Sequence, residues 1–119
     1  MPVVTDAGTI IDPDSAYVQT EGAALWGRSM AQFEGTGCAA GQVRGTNLDT
    51  CTPVHSGDVP LPDMRCIVNA GVPIGHGEPA NTVMAPAIVN PNVAATGARV
   101  TLLAISPQPV LAALAPLQP

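Results

Sequence analysis

The stretch Gly8-Thr-Ile-Ile-Asp-Pro13-Asp14-Ser-Ala-Tyr-Val18-Gln-Thr-Glu-Gly22 decides how the chain is read, because its punctuation returns 49 residues later. The second stretch is Gly57-Asp-Val-Pro-Leu-Pro62-Asp63-Met-Arg-Cys-Ile67-Val-Asn-Ala-Gly71, and Gly8, Pro13, Asp14 and Gly22 meet Gly57, Pro62, Asp63 and Gly71 without a gap. Val18 meets Ile67, a β-branched match. Each copy reads as a short β unit. Proline presets φ for a turn and aspartate bonds to nearby backbone N–H groups. A strand follows, Ser15 to Thr20 in one copy and Met64 to Val68 in the other. Glu21-Gly22 and Asn69-Ala70-Gly71 then close hairpins whose return strands are Ala23 to Trp26 and Val72 to Ile74.

Outward from the two copies, 8–28 and 57–78, the chain is rich in glycine and proline. Gly and Pro number 12 and 13 among 119 residues, which argues against long helices. The segment from Gly35 to Pro53 reads as loop with one short strand at Gln42 to Arg44, and Met30 to Glu34 as a single helical turn. Short strands are expected at Thr82 to Met84 and Ala87 to Val89, and Arg99 to Ile105 is the most β-like run. Leu111, Leu114 and Leu117 recur at spacings of three, a short C-terminal helix cut by Pro116. The expected fold is therefore mainly β: one small domain, 1–119, of repeated short hairpins with long Gly/Pro-rich loops. Its apolar C-terminal segment, 98–119, packs on the domain or on a partner.

Four arginines, no lysine and nine carboxylates leave a net charge of −5, which excludes a nucleic-acid or anionic-membrane partner. The start, Met1-Pro2-Val3-Val4-Thr5-Asp6, does not read as a secretory leader, and the longest apolar runs are far below the ~20 residues of a membrane span. Synthesis in the cytoplasm without a signal peptide and without a stable membrane anchor is expected. Only Trp26, Tyr17 and Phe33 are aromatic, so the core must be aliphatic, with Trp26 as a core or interface anchor.

Cys38, Cys51, His55, Cys66 and His76 are the soft or borderline ligands of the chain, and four of them fall within the 26 residues from Cys51 to His76. Convergence of about four such groups would hold a structural zinc or iron ion and stabilise an aromatic-poor domain. The spacing, C-x3-H and then C-x9-H, matches no ligand signature. Buried cysteines with loop histidines, or an oxidised Cys51–Cys66 pair, are the competing readings. Asp14 and Asp63 occupy turn positions suited to backbone capping rather than acid–base chemistry. No motif supports a cysteine nucleophile, and Gly35 to Gly41 lacks the lysine and helix of a phosphate loop. No enzyme is expected.

Gly71-Val72-Pro73-Ile74-Gly75-His76-Gly77-Glu78 resembles the G-x-P-x-x-x-G-D stretch of PAAR-repeat proteins, and Gly8-Thr-Ile-Ile…Val18…Gly22-Ala-Ala resembles the run that opens such repeats. The Pro-Ala-Ala-Arg that names the family is absent, and the first copy carries Arg28 where an acid is expected. The resemblance implies a conical β fold that caps the trimeric spike of a contractile injection apparatus as a membrane-piercing tip: a type VI secretion system, a phage tail or an extracellular particle. The partner would be a trimeric spike protein, the location a virion or injection apparatus. A zinc or iron site would fall on His55, His76 and one or two cysteines, Cys66 and Cys51. The alternatives are a capsid decoration protein bound to capsid subunits and a small metal- or ligand-binding β module.

Overall fold

Asp12 starts the first helix. In the computed structural model, which describes residues 1–117, Asp12 is extended (φ −129°, ψ 103°) and its carboxylate accepts from the N–H groups of Asp14 and Ser15. The Ser15 hydroxyl donates to the same carboxylate at 2.7 Å. Pro13 takes the first helical position, where its missing N–H costs nothing and its fixed φ is already helical. Helix α1 then runs Pro13–Gln32, twenty residues that absorb the strand expected at Ser15 to Thr20, the hairpin at Gly22 and the return strand at Ala23 to Trp26. Its buried stripe is Ala16, Thr20, Ala23, Ala24, Gly27 and Ala31, at helical spacings of three and four. These residues are small, so neighbouring backbone comes close: a Cβ on Gly27 would lie 2.6 Å from the Asn81 carbonyl oxygen.

Strand β1, Pro2–Thr5, which the sequence pattern did not single out, pairs in parallel with β4, Asp63–Cys66, setting Val3 beside Met64. A parallel pair needs a long crossover, and α1 supplies it. Pro62-Asp63 therefore opens a strand while Pro13-Asp14 opens a helix, and the apparent duplication has no structural counterpart. Strands β2, Cys38–Ala39, and β3, Gln42–Val43, form a two-residue hairpin, with Ala40 at φ 52° and Gly41 at φ 76°. Left-handed backbone at both central positions is what that turn demands, and β3 stands where Gln42 to Arg44 was expected.

The glycine- and proline-rich second half is helical. Helix α2 is Pro79–Thr82, and after Val83 helix α3 continues Met84–Thr96, replacing both expected short strands. Gly97, left-handed at φ 74°, ends α3 with its N–H on the Val93 carbonyl. The β-like run 99–105 forms no strand; Val100 and Ile105 serve as core residues instead. The C-terminal helix is present as α4, Pro107–Leu114, followed by a 3-10 turn, Ala115–Leu117. The last two positions of the expected 1–119 domain and 98–119 segment lie outside the described residues. With about 46% helix and 10% strand, the chain is mixed α/β and not the mainly β hairpin domain anticipated.

Two clusters form the core: Val3, Ala23, Ala24, Met64, Ala80 and Met84 under the parallel strands, and Ala31, Val100 and Ile105 under α3 and α4. They leave much apolar surface bare. An autonomous globule of this mass would expose about 6,000 Å², against 8156 Å² here. A compact chain of this length would have a radius of gyration near ~13.5 Å, against 17.2 Å. Ile11, Leu48, Leu61, Val68 and Val72 are each more than four-fifths exposed, and Trp26 stands out from α1 rather than in the core.

Candidate functional site

Beyond the ends of β1 and β4 the two segments stay side by side. The Thr9 N–H donates to Gly71 O at 2.9 Å and the Ile74 N–H to Ala7 O at 3.0 Å. Asn69 bridges them: its amide donates to the Asp6 carboxylate, and its oxygen accepts the Gly71 N–H at 2.7 Å. This pairing carries the chain to Gly75-His76-Gly77-Glu78, a loop that crosses α1 and enters α2.

Small residues on α1 seat that crossing. Thr20, 1% exposed, donates its hydroxyl to Ala16 O at 2.8 Å and lies 3.4 Å from His76 Nδ1. A Cβ on Gly77 would come within 3.9 Å of Gln19 Oε1. Ala80 and Asn81 then follow onto Ala23, Ala24 and Gly27.

The loop separates two recesses. One, of about 270 Å³, lies at the start of α1 and is lined by Ile10, Ile11, Asp12, Gln19, Ile74 and His76 among others. The other, an open groove of about 450 Å³, is lined by Gly75, Gly77, Glu78, Pro79 and Thr82. Glu78 holds the N-cap position of α2 but makes no side-chain capping bond. It is the last carboxylate of the sequence, followed only by Arg99 among charged residues. Glu78 is thus an exposed carboxylate, between Gly77 and Pro79, that caps no helix and meets no cation among the described residues. Asp12 differs: the Ser15 hydroxyl first, and then the backbone N–H groups, hold its carboxyl below the usual carboxylate range.

The anticipated ligands are scattered. Cys51 is exposed after a 3-10 turn, Leu48–Thr50, and Cys66 ends β4, partly buried. His55 follows Val54, whose N–H donates to Ser29 Oγ, whereas His76 sits at Thr20. Nine residues of α1 separate those two seats, about 13 Å along its axis. Cys38 is exposed in the β2–β3 hairpin. Among the described residues no three His, Cys, Asp or Glu side chains gather to hold a metal ion. Of the turn residues, Pro13 and Gly22 are helical, Pro62 precedes β4, and Gly71 takes part in the extended pairing. Two residues escaped the sequence reading: Thr20, assigned to a strand, and Glu78, quoted only as the acid ending a motif. The run Gly-His-Gly-Glu-Pro was the available signal, an acid flanked by glycine and by a helix-starting proline.

No protein-family model matches the chain. Over 114 residues, 96% of the chain, it is 43% identical to the membrane-bound aldehyde dehydrogenase [pyrroloquinoline-quinone] of Gluconacetobacter polyoxogenes, and spans 15% of that protein. Its fold is that of a segment of the Cu,Mo-CO dehydrogenase, seen in the carbon monoxide reduced state: TM-score 0.84 and 17% identity over 98% of this chain and 16% of that one. Quinoline 2-oxidoreductase from Pseudomonas putida 86 contains the same fold, with TM-score 0.80 and 24% identity over 96% of this chain and 16% of that one.

These likenesses overturn the assignment to PAAR-like spike tips, and with it the non-enzymatic reading, the injection-apparatus, phage-tail and capsid-decoration roles, and the spike or capsid partners. The chain's relative and structural neighbours are oxidoreductases. The virion or extracellular-particle location falls as well, since the relative is named a membrane-bound enzyme; among the described residues no helix is long and apolar enough to cross a membrane. The matched proteins are named for redox cofactors, a quinone in one and copper with molybdenum in another. The residues described here do not form such a site by themselves. Neither recess is lined by an arginine to meet an anionic quinone, and no ligand cluster is present to take a metal.

Proposed function

We propose that this chain is a segment of a much longer oxidoreductase polypeptide that oxidises an aldehyde or a related electrophilic carbon. In this reading it contributes the Gly75–Glu78 loop to the edge of the active site. The observation that carries the reading is the 43% identity along nearly the whole chain to one stretch of an aldehyde dehydrogenase. Two structural features support it. Accessible surface about 2,200 Å² above that of an autonomous globule of this mass suits a piece packed against a larger body. The unspent Glu78 carboxylate supplies a base on a loop fixed to a rigid helix.

Oxidation of an aldehyde to an acid adds one oxygen from water and releases two protons and two electrons. The proposed role of Glu78 is to take a proton from the water that supplies the oxygen, a contribution of roughly 10²- to 10⁴-fold for a well-placed base. The electron acceptor, a redox-active metal or quinone, belongs to the rest of the polypeptide. Thr82 and the two glycines leave the groove open to a substrate approaching Glu78. Glu78→Gln in the intact protein keeps shape and removes the base; kcat for aldehyde oxidation should fall at least 100-fold with folding unchanged. Full activity in that variant would overturn the role of Glu78, and an intact protein that oxidises no aldehyde would overturn the reaction class.

A further inference from the structure

The hydrogen bonds around Thr20 fix more than its own position. Thr20 Oγ1 and Ala16 O are 2.8 Å apart, and two oxygens approach that closely only with a proton between them. A threonine hydroxyl has one proton, so toward His76 Nδ1, 3.4 Å away, it can only accept. Nδ1 therefore carries the ring proton and donates it, and in the neutral imidazole Nε2 keeps the lone pair. On either side of His76 are glycines, which have no side chain to hold the loop, and Glu78 makes no capping bond. The Thr20–His76 bond is the one side-chain hydrogen bond described between α1 and the Gly75–Glu78 loop.

We propose that Thr20 is a positioning residue for the reaction: its buried hydroxyl holds His76 in the Nδ1–H form against α1 and so fixes where the neighbouring Glu78 carboxylate is presented. The proposal rests on the reading of Glu78 as the base. It also assigns a purpose to the largest fully buried side chain among the described residues, a polar one in a stripe of small residues. Without the hydroxyl, the imidazole N–H faces a methyl group and the glycine-flanked loop loses its tether.

The test is a set of variants in the intact enzyme. Thr20→Val keeps the shape and deletes the hydroxyl, Thr20→Ser keeps the hydroxyl, and His76→Phe removes its partner; Glu78→Gln is measured alongside. Thr20→Val and His76→Phe should each lower kcat at least tenfold with KM changed less than twofold. The double variant should be no worse than either single one, because both delete the same tether, and Thr20→Ser should recover to within about threefold of the parent. Multiplying effects in the double variant, equal damage from serine and valine, or an unaffected Thr20→Val enzyme beside an inactive Glu78→Gln enzyme would each overturn the positioning role and leave the proposed function standing. A fully active Glu78→Gln enzyme would remove the role proposed for Glu78, and this inference with it.

Discussion

Residues 8–22 and 57–71 share four identical residues in fifteen aligned positions and fold differently, one into a helix and the other into a strand. The difference starts one residue before the shared Pro-Asp. Asp12 offers a carboxylate that three donors use, so Pro13 becomes the first residue of a capped helix. Leu61 offers nothing to a helix start and stands 89% exposed, and Pro62 leads instead into a strand whose partner, β1, lies far away in sequence. Downstream, the first copy continues with small residues at intervals of three and four, while the second alternates, with Met64 turned inward between exposed Asp63 and Arg65. Proline and aspartate mark a boundary in both places, and their neighbours decide what kind.

The equivalent glycines break the comparison most sharply. Gly8 has φ 75°, and a Cβ there would sit 2.2 Å from the Val72 carbonyl oxygen, whereas a Cβ on Gly57 meets nothing within 4 Å. Gly8→Ala combines left-handed strain with a backbone clash and should cost about 3 kcal/mol. Gly57→Ala should change stability by less than about 0.5 kcal/mol. Urea denaturation midpoints of the two variants check this, and equal costs would mean that the two copies are structurally alike after all.

Some of this was legible in the chain and some was not. Asp-Pro-Asp-Ser is a helix-start signature, and the stripe Ala16, Thr20, Ala23, Ala24, Gly27, Ala31 has helical periodicity. The strand expected at Ser15 to Thr20 rests on Tyr17, Val18 and Thr20, whose β preference is weaker than a cap and a buried face together. The strand after Gly41 and the C-terminal helix were visible because glycine punctuation and leucine spacing are local, whereas the β2 partner of that strand was read as loop. Strand β1 was not, because a four-residue strand that pairs in parallel across some sixty residues leaves no local mark. The candidate site was half visible. His76 was singled out for metal chemistry, yet what fixes it is a threonine 56 positions earlier. The bare apolar side chains left no trace in composition, because a hydrophobic residue reads the same whether it faces its own core or another part of a larger body.

A second pair of glycines sharpens the contrast with effects of opposite sign. Gly22 lies exposed in the middle of α1, and a Cβ added there would meet nothing within 4 Å, so Gly22→Ala should stabilise by about 0.5–1 kcal/mol through helix propensity. In a hairpin turn at the same place, alanine would have destabilised. At Gly71 a Cβ would come 2.8 Å from Asn69 Oδ1, the atom that accepts the Gly71 N–H. Displacing Asn69 also disturbs its bond to Asp6, and Gly71→Ala should cost about 1 kcal/mol. Thermal denaturation should therefore move up for one variant and down for the other.

The smallest effect is the most specific to the helix start, because it depends on pH. The Asp12 carboxyl is held below its ordinary value of 3.8 by the Ser15 hydroxyl and the backbone N–H groups of the first turn. Its ionised form is thus favoured in the folded chain, and the stability it contributes is complete above the ordinary value. That contribution fades as pH falls through 3.8 toward the lowered value, where the folded state also binds the proton. Asparagine caps a helix without titrating, so Asp12→Asn should lack this part of the acid sensitivity. Subtracting the denaturation midpoint of Asp12→Asn from that of the parent across the acid range cancels the other carboxylates. A difference that shrinks as pH drops below 3.8 identifies the charged cap, while Leu61→Ala, at the matching place in the second stretch, should differ from the parent by an amount that does not vary with pH. A flat difference for Asp12→Asn would mean that the carboxylate is not engaged at the helix start, and the distinction between the two Pro-Asp boundaries would then rest on packing alone.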